Sequence, residues 1–289
     1  MRILTKSFMQ SETIAGVRQA VAAARADGKR IALVPTMGYL HEGHLALVEA
    51  ASREADFVVV SIFVNPLQFG ANEDLSSYPR DLDRDLRLLA TSGQCDVAFT
   101  PTVAEMYPQQ MATTVQLPEM AAKLCGKTRP GHFAGVATVV SKLFHIVAPD
   151  VACFGQKDGQ QLAIIRRMVA DLNMPIRIVS VPTVREPDGL AKSSRNVYLT
   201  PDERDHAVIL YRTLAWAQGE IARGNRDGQA IASGMRERIV ADPVARLDYA
   251  EVVSLANLES IDVIEGDVML AVAAYFGKAR LIDNVQLSV

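Results

Sequence analysis

The chain has 289 residues, 49% hydrophobic and 22% charged, the balance of a globular protein with room for about two domains; disordered, collagen-like and low-complexity chains are excluded. Thirty basic residues face 33 acidic ones, a formal charge of −3 with no block of five or six like charges, which argues against a nucleic-acid or polybasic membrane partner. The longest apolar runs, such as Val268 to Phe276, fall well short of the roughly 20 residues of a membrane span, the N-terminus lacks the apolar core of a secretory leader, and three scattered cysteines (Cys95, Cys125, Cys153) predict neither disulfides nor a cysteine zinc site and fit a reducing cytoplasm.

In chain order, apolar spacing at three and four predicts a helix over Ser11 to Asp27, stopped by Gly28. Ile31 to Val34 reads as a short buried strand, and Leu45 to Arg53 returns to helical spacing. Phe57 to Val64 is continuously apolar and β-branched, the texture of a strand covered on both faces. Asp81 to Thr91 predicts a helix and Val97 to Thr100 a strand. The alternation repeats with a helix over Ala134 to Val147, a strand over Val151 to Gly155, a helix from Asp158 to about Leu172, and a strand over Ile176 to Val181. Strands alternating with helices predict a Rossmann-like, doubly wound parallel sheet.

After Arg185 the texture changes. Glu186-Pro187-Asp188-Gly189 is a turn signal. Helices are expected over Pro201 to Arg223 and Gln229 to Ala241, then strands over Leu247 to Val253, Val268 to Phe276 and Arg280 to Leu287. Helices followed by consecutive strands predict a smaller C-terminal α+β domain. The expected division is residues 1–184 and 185–289.

Three segments carry cations or hydrogen-bond donors just after predicted parallel strands, the edge where open α/β sheets bind ligands. The first is Met37-Gly38-Tyr39-Leu40-His41-Glu42-Gly43-His44. His41 and His44 share a face of a first helical turn, where free N–H groups and the helix dipole attract phosphate. Three readings stand side by side: a phosphate-binding imidazole pair, histidines that merely cap the helix, or a zinc pair without the HExxH pattern. Neither a Walker A loop nor a GxGxxG fingerprint is present. The second segment is Gly155-Gln156-Lys157-Asp158, followed by Gln161. The third is Lys192-Ser193-Ser194-Arg195, where cations and hydroxyls together suit a triphosphate. Asn65 and Gln68, in Asn65-Pro66-Leu67-Gln68-Phe69-Gly70, offer amides for a small hydroxylated acid, and Arg129 to Phe133 forms a basic loop before a helix. Asp83 and Asp85 are carboxylates suited to Mg²⁺ or to an exposed helix face.

The stretches PTMGYLHEGH, FVNPLQFG, RPGHFAGV, FGQKDGQQL and KSSRNVYLT, in this order over residues 35 to 200, resemble the pantoate–β-alanine ligase (pantothenate synthetase) family of the wider HxGH nucleotidyltransferase superfamily. The resemblance implies a Rossmann-like domain with a C-terminal lid, a cytoplasmic homodimer, and ATP with Mg²⁺. It implies ligation of pantoate and β-alanine through pantoyl adenylate, releasing AMP and pyrophosphate. ATP contacts would fall on Met37 to His44, Gly155 to Asp158, Val184 and Lys192 to Arg195, with His41, His44 and Lys157 as catalytic groups. Pantoate and β-alanine contacts would fall on Gln68, Gln161 and Asn65. Lys192 replaces the family's usual Met or Leu, and Gly159 a bulkier residue, a change expected to loosen packing there. The rivals are a nucleotidyltransferase acting on a phosphorylated alcohol, which calls for basic residues in place of Gln68 and Gln161, and a nucleotide-sensing binding module.

Overall fold

The computed structural model describes residues 8–71 and 73–289; residues 1–7, part of the stretch read for a leader, lie outside them. The elements in chain order are β1 (Met9–Ser11), α1 (Ile14–Ala26), β2 (Ile31–Thr36), α2 (Glu42–Glu54), β3 (Phe57–Ile62), α3 (Leu82–Ser92), β4 (Val97–Phe99), α4 (Val103–Met106), α5 (Pro118–Ala121), α6 (Cys125–Thr128), α7 (His132–Val147), β5 (Val151–Gly155), α8 (Gly159–Asp171) and β6 (Arg177–Val181). They continue with α9 (Pro201–Ala207), α10 (Ile209–Ala222), α11 (Gly228–Val240), β7 (Arg246–Ser254), β8 (Asp267–Phe276) and β9 (Ala279–Ser288).

The chain divides into two compact units: residues up to Leu117 with Arg129–Gly155 and Ile164–Val181, and Pro118–Thr128 with Gln156–Ala163 and Pro182–Val289. The change of unit at Val181–Pro182 falls just before the expected boundary at 184. Residues 118–128 and 156–163, which chain order puts in the first domain, group with the second. Gln160 shows why. Its amide, 5% exposed, donates to the carbonyls of Met120 and Lys123 and accepts from the Cys125 N–H, so it binds the two excursions to each other.

The first unit is a six-stranded sheet of order β1-β4-β3-β2-β5-β6, parallel throughout. Central strands β2 and β3 are buried along nearly their whole length, as their unbroken apolar sequence requires when helices cover both faces. Alternate residues form one core: Ala32, Val34, Val58, Val60, Ala98 and Cys153 pack with Leu47, Val48 and Ala51 of α2 and Leu89 of α3. Helices α1 and α7 pack on the sheet separately, against β2 and each other. The strand order reverses between β2 and β5, the switch point of a doubly wound sheet. Strand β1 has no counterpart among the sequence expectations: three residues with two polar side chains carry no pattern, and pairing with β4 alone makes them a strand.

In the second unit, α10 and α11 cover an antiparallel sheet of order β7-β8-β9. Leu210, Leu214, Ile231, Met235, Val252, Leu270 and Phe276 meet in its core. The helix expected over 201–223 is interrupted at Val208, whose ψ of −17° tightens the last turn of α9. All three cysteines are free and buried. Cys125 sits in a polar setting: its Sγ lies 3.1 Å from the Tyr249 hydroxyl and 3.5 Å from Arg280 Nη2. Among the described residues no helix is long and apolar enough to cross a membrane.

Candidate active site

The chain leaves β2 at Thr36, whose hydroxyl donates to the Ser61 carbonyl (2.7 Å) and accepts from the Gly38 N–H (3.3 Å). Positive φ at Gly38 (+82°) and Tyr39 (+50°) turns the backbone back on itself. The next two amides are caught by one side chain: Tyr39 N–H bonds Asp85 Oδ2 and Leu40 N–H bonds Asp85 Oδ1, each at 2.7 Å. Asp85 is 1% exposed, and burial raises its carboxyl above the ordinary range, outweighing the two N–H bonds and Arg84 that lower it. Arg84 closes the clasp by donating to the Leu40 carbonyl at 2.8 Å. This corrects the metal reading. Both oxygens of Asp85 are bound to backbone amides, and Asp83 stands on the exposed face of α3. No group of three or more His, Cys, Asp or Glu suited to a cation occurs among the described residues.

His41 is the N-cap of α2. Its Nδ1 accepts from Gly43 N–H (3.1 Å), and His44 Nδ1 accepts from His41 N–H (3.2 Å), a reciprocal capping box made of two imidazoles with ring centroids 4.1 Å apart. With both Nδ1 atoms accepting, a neutral ring carries its proton on Nε2. The geometry shows the capping reading directly, and capping through Nδ1 leaves Nε2–H as the ring's donor at a helix N-terminus, where the phosphate reading expects one. The zinc reading finds no third ligand among the described residues.

Beyond β3, residues 66–68 form a 3-10 turn capped by Asn65, whose Oδ1 accepts from Leu67 N–H. Asn65 is 1% exposed and bound on every side. Its Oδ1 also accepts from the Tyr107 hydroxyl at 2.8 Å, and its Nδ2 donates to Gln68 Oε1 and to the Gly135 carbonyl, both at 3.2 Å. Burial pushes the Tyr107 phenol up to about 12, so it remains the donor. Asn65, expected as a substrate contact, is thus a bracket for Gln68. The Gln68 amide is held at the other end by Met37 Sδ (2.9 Å). The Gln68 carbonyl is gripped by His132 Nδ1 at 2.8 Å, while Arg129 bonds His132 Nε2 at 3.0 Å and pairs with Glu73. Helix α7 meets the turn backbone to backbone: a Cβ on Gly135 would overlap the Leu67 carbonyl and stand 2.7 Å from Gln68 Cα. The RPGHFAG stretch carries no role in the sequence reading beyond its basic, loop-like character; in the fold it holds this turn.

In the second unit, Gln156–Asp158 forms a 3-10 turn that runs directly into α8, which starts at Gly159 rather than Asp158. Lys157 Nζ lies 3.5 Å from Asp158 Oδ1, and Gln161 is half-buried. Val184 accepts the Lys192 N–H at 3.0 Å, joining the two ends of a loop closed by the Arg185–Ala191 bridge. Ser193 caps a 3-10 turn over Ser194–Tyr198 through Arg195 N–H at 3.2 Å. Lys192 pairs with Glu186 at 3.2 Å, which ties this unusual cation to its own loop. The first unit thus gathers Met37 to His44 with Gln68, Asn65 and Asp85, and the second gathers Gln156 to Asp158 with the Val184–Arg195 loop.

A parallel sheet whose central strand runs into a doubly histidine-capped helix at the switch point defines the HxGH class of α/β proteins. The profile of the pantoate–beta-alanine ligase family matches residues 9–286. A pantothenate synthetase from Thermoanaerobacter pseudethanolicus is 50% identical over 275 residues, 95% of this chain and 97% of that protein. The crystal structure of pantothenate synthetase from Thermus thermophilus superposes with a TM-score of 0.91 at 47% identity, covering 98% of this chain and 100% of the other. A pantoate–beta-alanine ligase from Francisella tularensis, solved in complex with beta-gamma ATP and beta-alanine, superposes with a TM-score of 0.77 at 33% identity over 96% of this chain and 97% of that one. The chain belongs to the pantoate–β-alanine ligase family and is an enzyme.

Proposed function

We propose that this enzyme condenses pantoate with β-alanine at the expense of ATP. In the first step a pantoate carboxylate oxygen attacks the α-phosphorus, the bond to the bridging oxygen of the β-phosphate breaks, and pyrophosphate leaves. In the second the β-alanine amine attacks the acyl carbon of pantoyl adenylate, the acyl C–O bond breaks, AMP departs, and the amine loses a proton. Carboxylate and triphosphate repel each other, so donors and cations must align them and take up the charge that builds on the leaving group. Met37 to His44, Gly155 to Asp158, Val184 and Lys192 to Arg195 bind ATP in this reading, with His41, His44 and Lys157 stabilising the transition state. Gln68 and Gln161 hold pantoate through its hydroxyls, and Gln68 borders the β-alanine. Magnesium enters as the counter-ion of the nucleotide, since Asp83 and Asp85 form no site for it. The working form is a cytoplasmic homodimer.

The observation that carries the reading is the His41–His44 box, which presents Nε2–H donors at the start of α2. The solved complex of the Francisella relative with an ATP compound and β-alanine supports the substrate assignment. Pantoate labelled with ¹⁸O in its carboxylate, incubated with ATP and β-alanine, should yield pantothenate and AMP carrying one ¹⁸O. ADP as the product, or unlabelled AMP, would rule out the adenylate. Pyrophosphate release only with a phosphorylated alcohol would favour the nucleotidyltransferase.

A further inference from the structure

Strand β9 carries two buried polar residues in succession, Asp283 (3% exposed) and Asn284 (7% exposed). Neither belongs to a recognised ATP segment, and both reach one. Asn284 Nδ2 donates to the carbonyls of Gln156 (2.9 Å) and Lys157 (2.8 Å), the backbone of the turn that presents Lys157. Asp283 receives Arg185 in a two-pronged ion pair, Nη1 to Oδ2 at 2.6 Å and Nη2 to Oδ1 at 3.0 Å. Arg185 also donates to the Gly189 carbonyl and stacks over Tyr211, and its backbone bridges Ala191 one residue before Lys192. The same Asp283 Oδ1 accepts the Asn284 N–H at 2.8 Å, so the two anchors are bonded to each other.

The orientation of the Asn284 amide costs something. Its Oδ1 is buried with no hydrogen-bond partner and faces Gly159. Turning the amide over would set that oxygen against two carbonyls, so the donor bonds hold it in place. Gly159 leaves the room this requires: a Cβ there would stand 2.9 Å from Asn284 Oδ1 and overlap Met269 Sδ. The glycine expected to loosen the packing is a close approach instead.

We propose that Asp283 and Asn284 are positioning residues for ATP: Asn284 sets the Gln156–Asp158 turn, and Asp283, acting through Arg185, sets the Val184–Arg195 loop. The assignment rests on the ATP contacts given under Proposed function. Asn284→Asp is isosteric and replaces the N–H donor by an acceptor. It should raise KM for ATP about tenfold or more, as small displacements of substrate-aligning groups do, and leave KM for β-alanine within about twofold. A purely structural role would lower kcat through the active fraction and leave both KM values unchanged, and that outcome would overturn the proposal. So would KM values for ATP and β-alanine that rise together. Asn284→Ser keeps one donor and should give a smaller rise in KM for ATP; if the aspartate variant does not fold, an unchanged value in the serine variant overturns the proposal in its place. Arg185→Lys, which keeps the charge and loses the fork, should raise KM for ATP in the same way through the other loop. Wild-type enzyme that forms no AMP from ATP, pantoate and β-alanine would sink the proposed reaction itself; wild type that does form AMP, with an ATP KM indifferent to these variants, would sink only the positioning role.

Discussion

The turn that follows β2 and the turn that follows β5, both proposed to bind ATP, are held in opposite ways. After β2, backbone N–H groups are taken up: Tyr39 and Leu40 by Asp85, Gly43 and His41 by the two imidazoles. Two of these four bonds are made within the turn and its helix cap, and two come from Asp85 on α3. After β5, backbone carbonyls are taken up, by one amide more than a hundred residues further along the chain. The first arrangement uses the helix's own capping chemistry to fix a ring tautomer. The second leaves Lys157 on a short turn whose geometry is imposed from another strand. A turn at the end of a parallel strand can therefore be held by its own capping side chains or by a distant strand, and only in the first kind does the motif contain some of its own anchors.

The sharpest way to break this comparison is to separate capping from donation at His44. Glutamine at the third helical position completes an ordinary capping box, so His44→Gln should fold like wild type while pantoate-dependent ATP–pyrophosphate exchange falls at least about 10²-fold. Exchange at the wild-type rate would show that the imidazoles only cap.

A smaller effect is expected where α7 presses on the 66–68 turn. Gly135→Ala drives a methyl into the Leu67 carbonyl, and overpacking of this kind costs about 1–3 kcal/mol. Displacing Gln68 should raise KM for pantoate more than KM for ATP. Steady-state kinetics showing both unchanged would mean that α7 does not set Gln68.

The smallest effects concern two carboxylates, Asp85 of α3 and Asp188 of the Val184–Arg195 loop, whose ionisation is shifted in opposite directions. Asp85→Asn leaves one of two buried amides without its acceptor and should lower unfolding free energy by about 1–3 kcal/mol in denaturant titration near neutral pH. Burial holds Asp85 above its ordinary value of 3.8, so the folded state binds the proton more tightly and this carboxyl costs stability as pH rises from 3.8 through its folded value. Asp188, beside Arg204 in the turn of the Val184–Arg195 loop, is held below 3.8. Its contribution is present above 3.8 and is lost as pH falls through its folded value. Thermal melts of wild type, Asp85→Asn and Asp188→Asn between about pH 3 and 6 should show the two variants removing slopes of opposite sign; slopes of one sign would refute the contrast.

Much of the architecture is legible in the chain alone. Strand β5 falls on Val151–Gly155 as read, and β2, β3 and β8 lie within two residues of their apolar runs, because a strand buried on both faces needs an unbroken hydrophobic stretch. The short pieces are not legible. β1, α5 and α6 carry too few residues for a period to show, and α2 begins earlier than its apolar spacing suggests because His41 and His44 supply its cap. At the site, residue type points to His41, His44, Gln68 and Lys157, but it also makes ligand-facing groups of Asp85 and Asn65. Each of those two is satisfied by protein partners distant in sequence: Asp85 by amides more than forty positions earlier, Asn65 by Tyr107 and Gly135.

The amino-acid order by itself determined the doubly wound parallel sheet and the residue types read as donors, since hydrophobic periodicity and local capping act over a few residues. Tertiary structure alone decided that some polar side chains read as ligand groups, Asp85 and Asn65 among them, are consumed inside the protein. A buried carboxylate or amide must find its partners wherever the fold brings them, and for Asp85, Asn65, Asp283 and Asn284 those partners come from other elements of the chain.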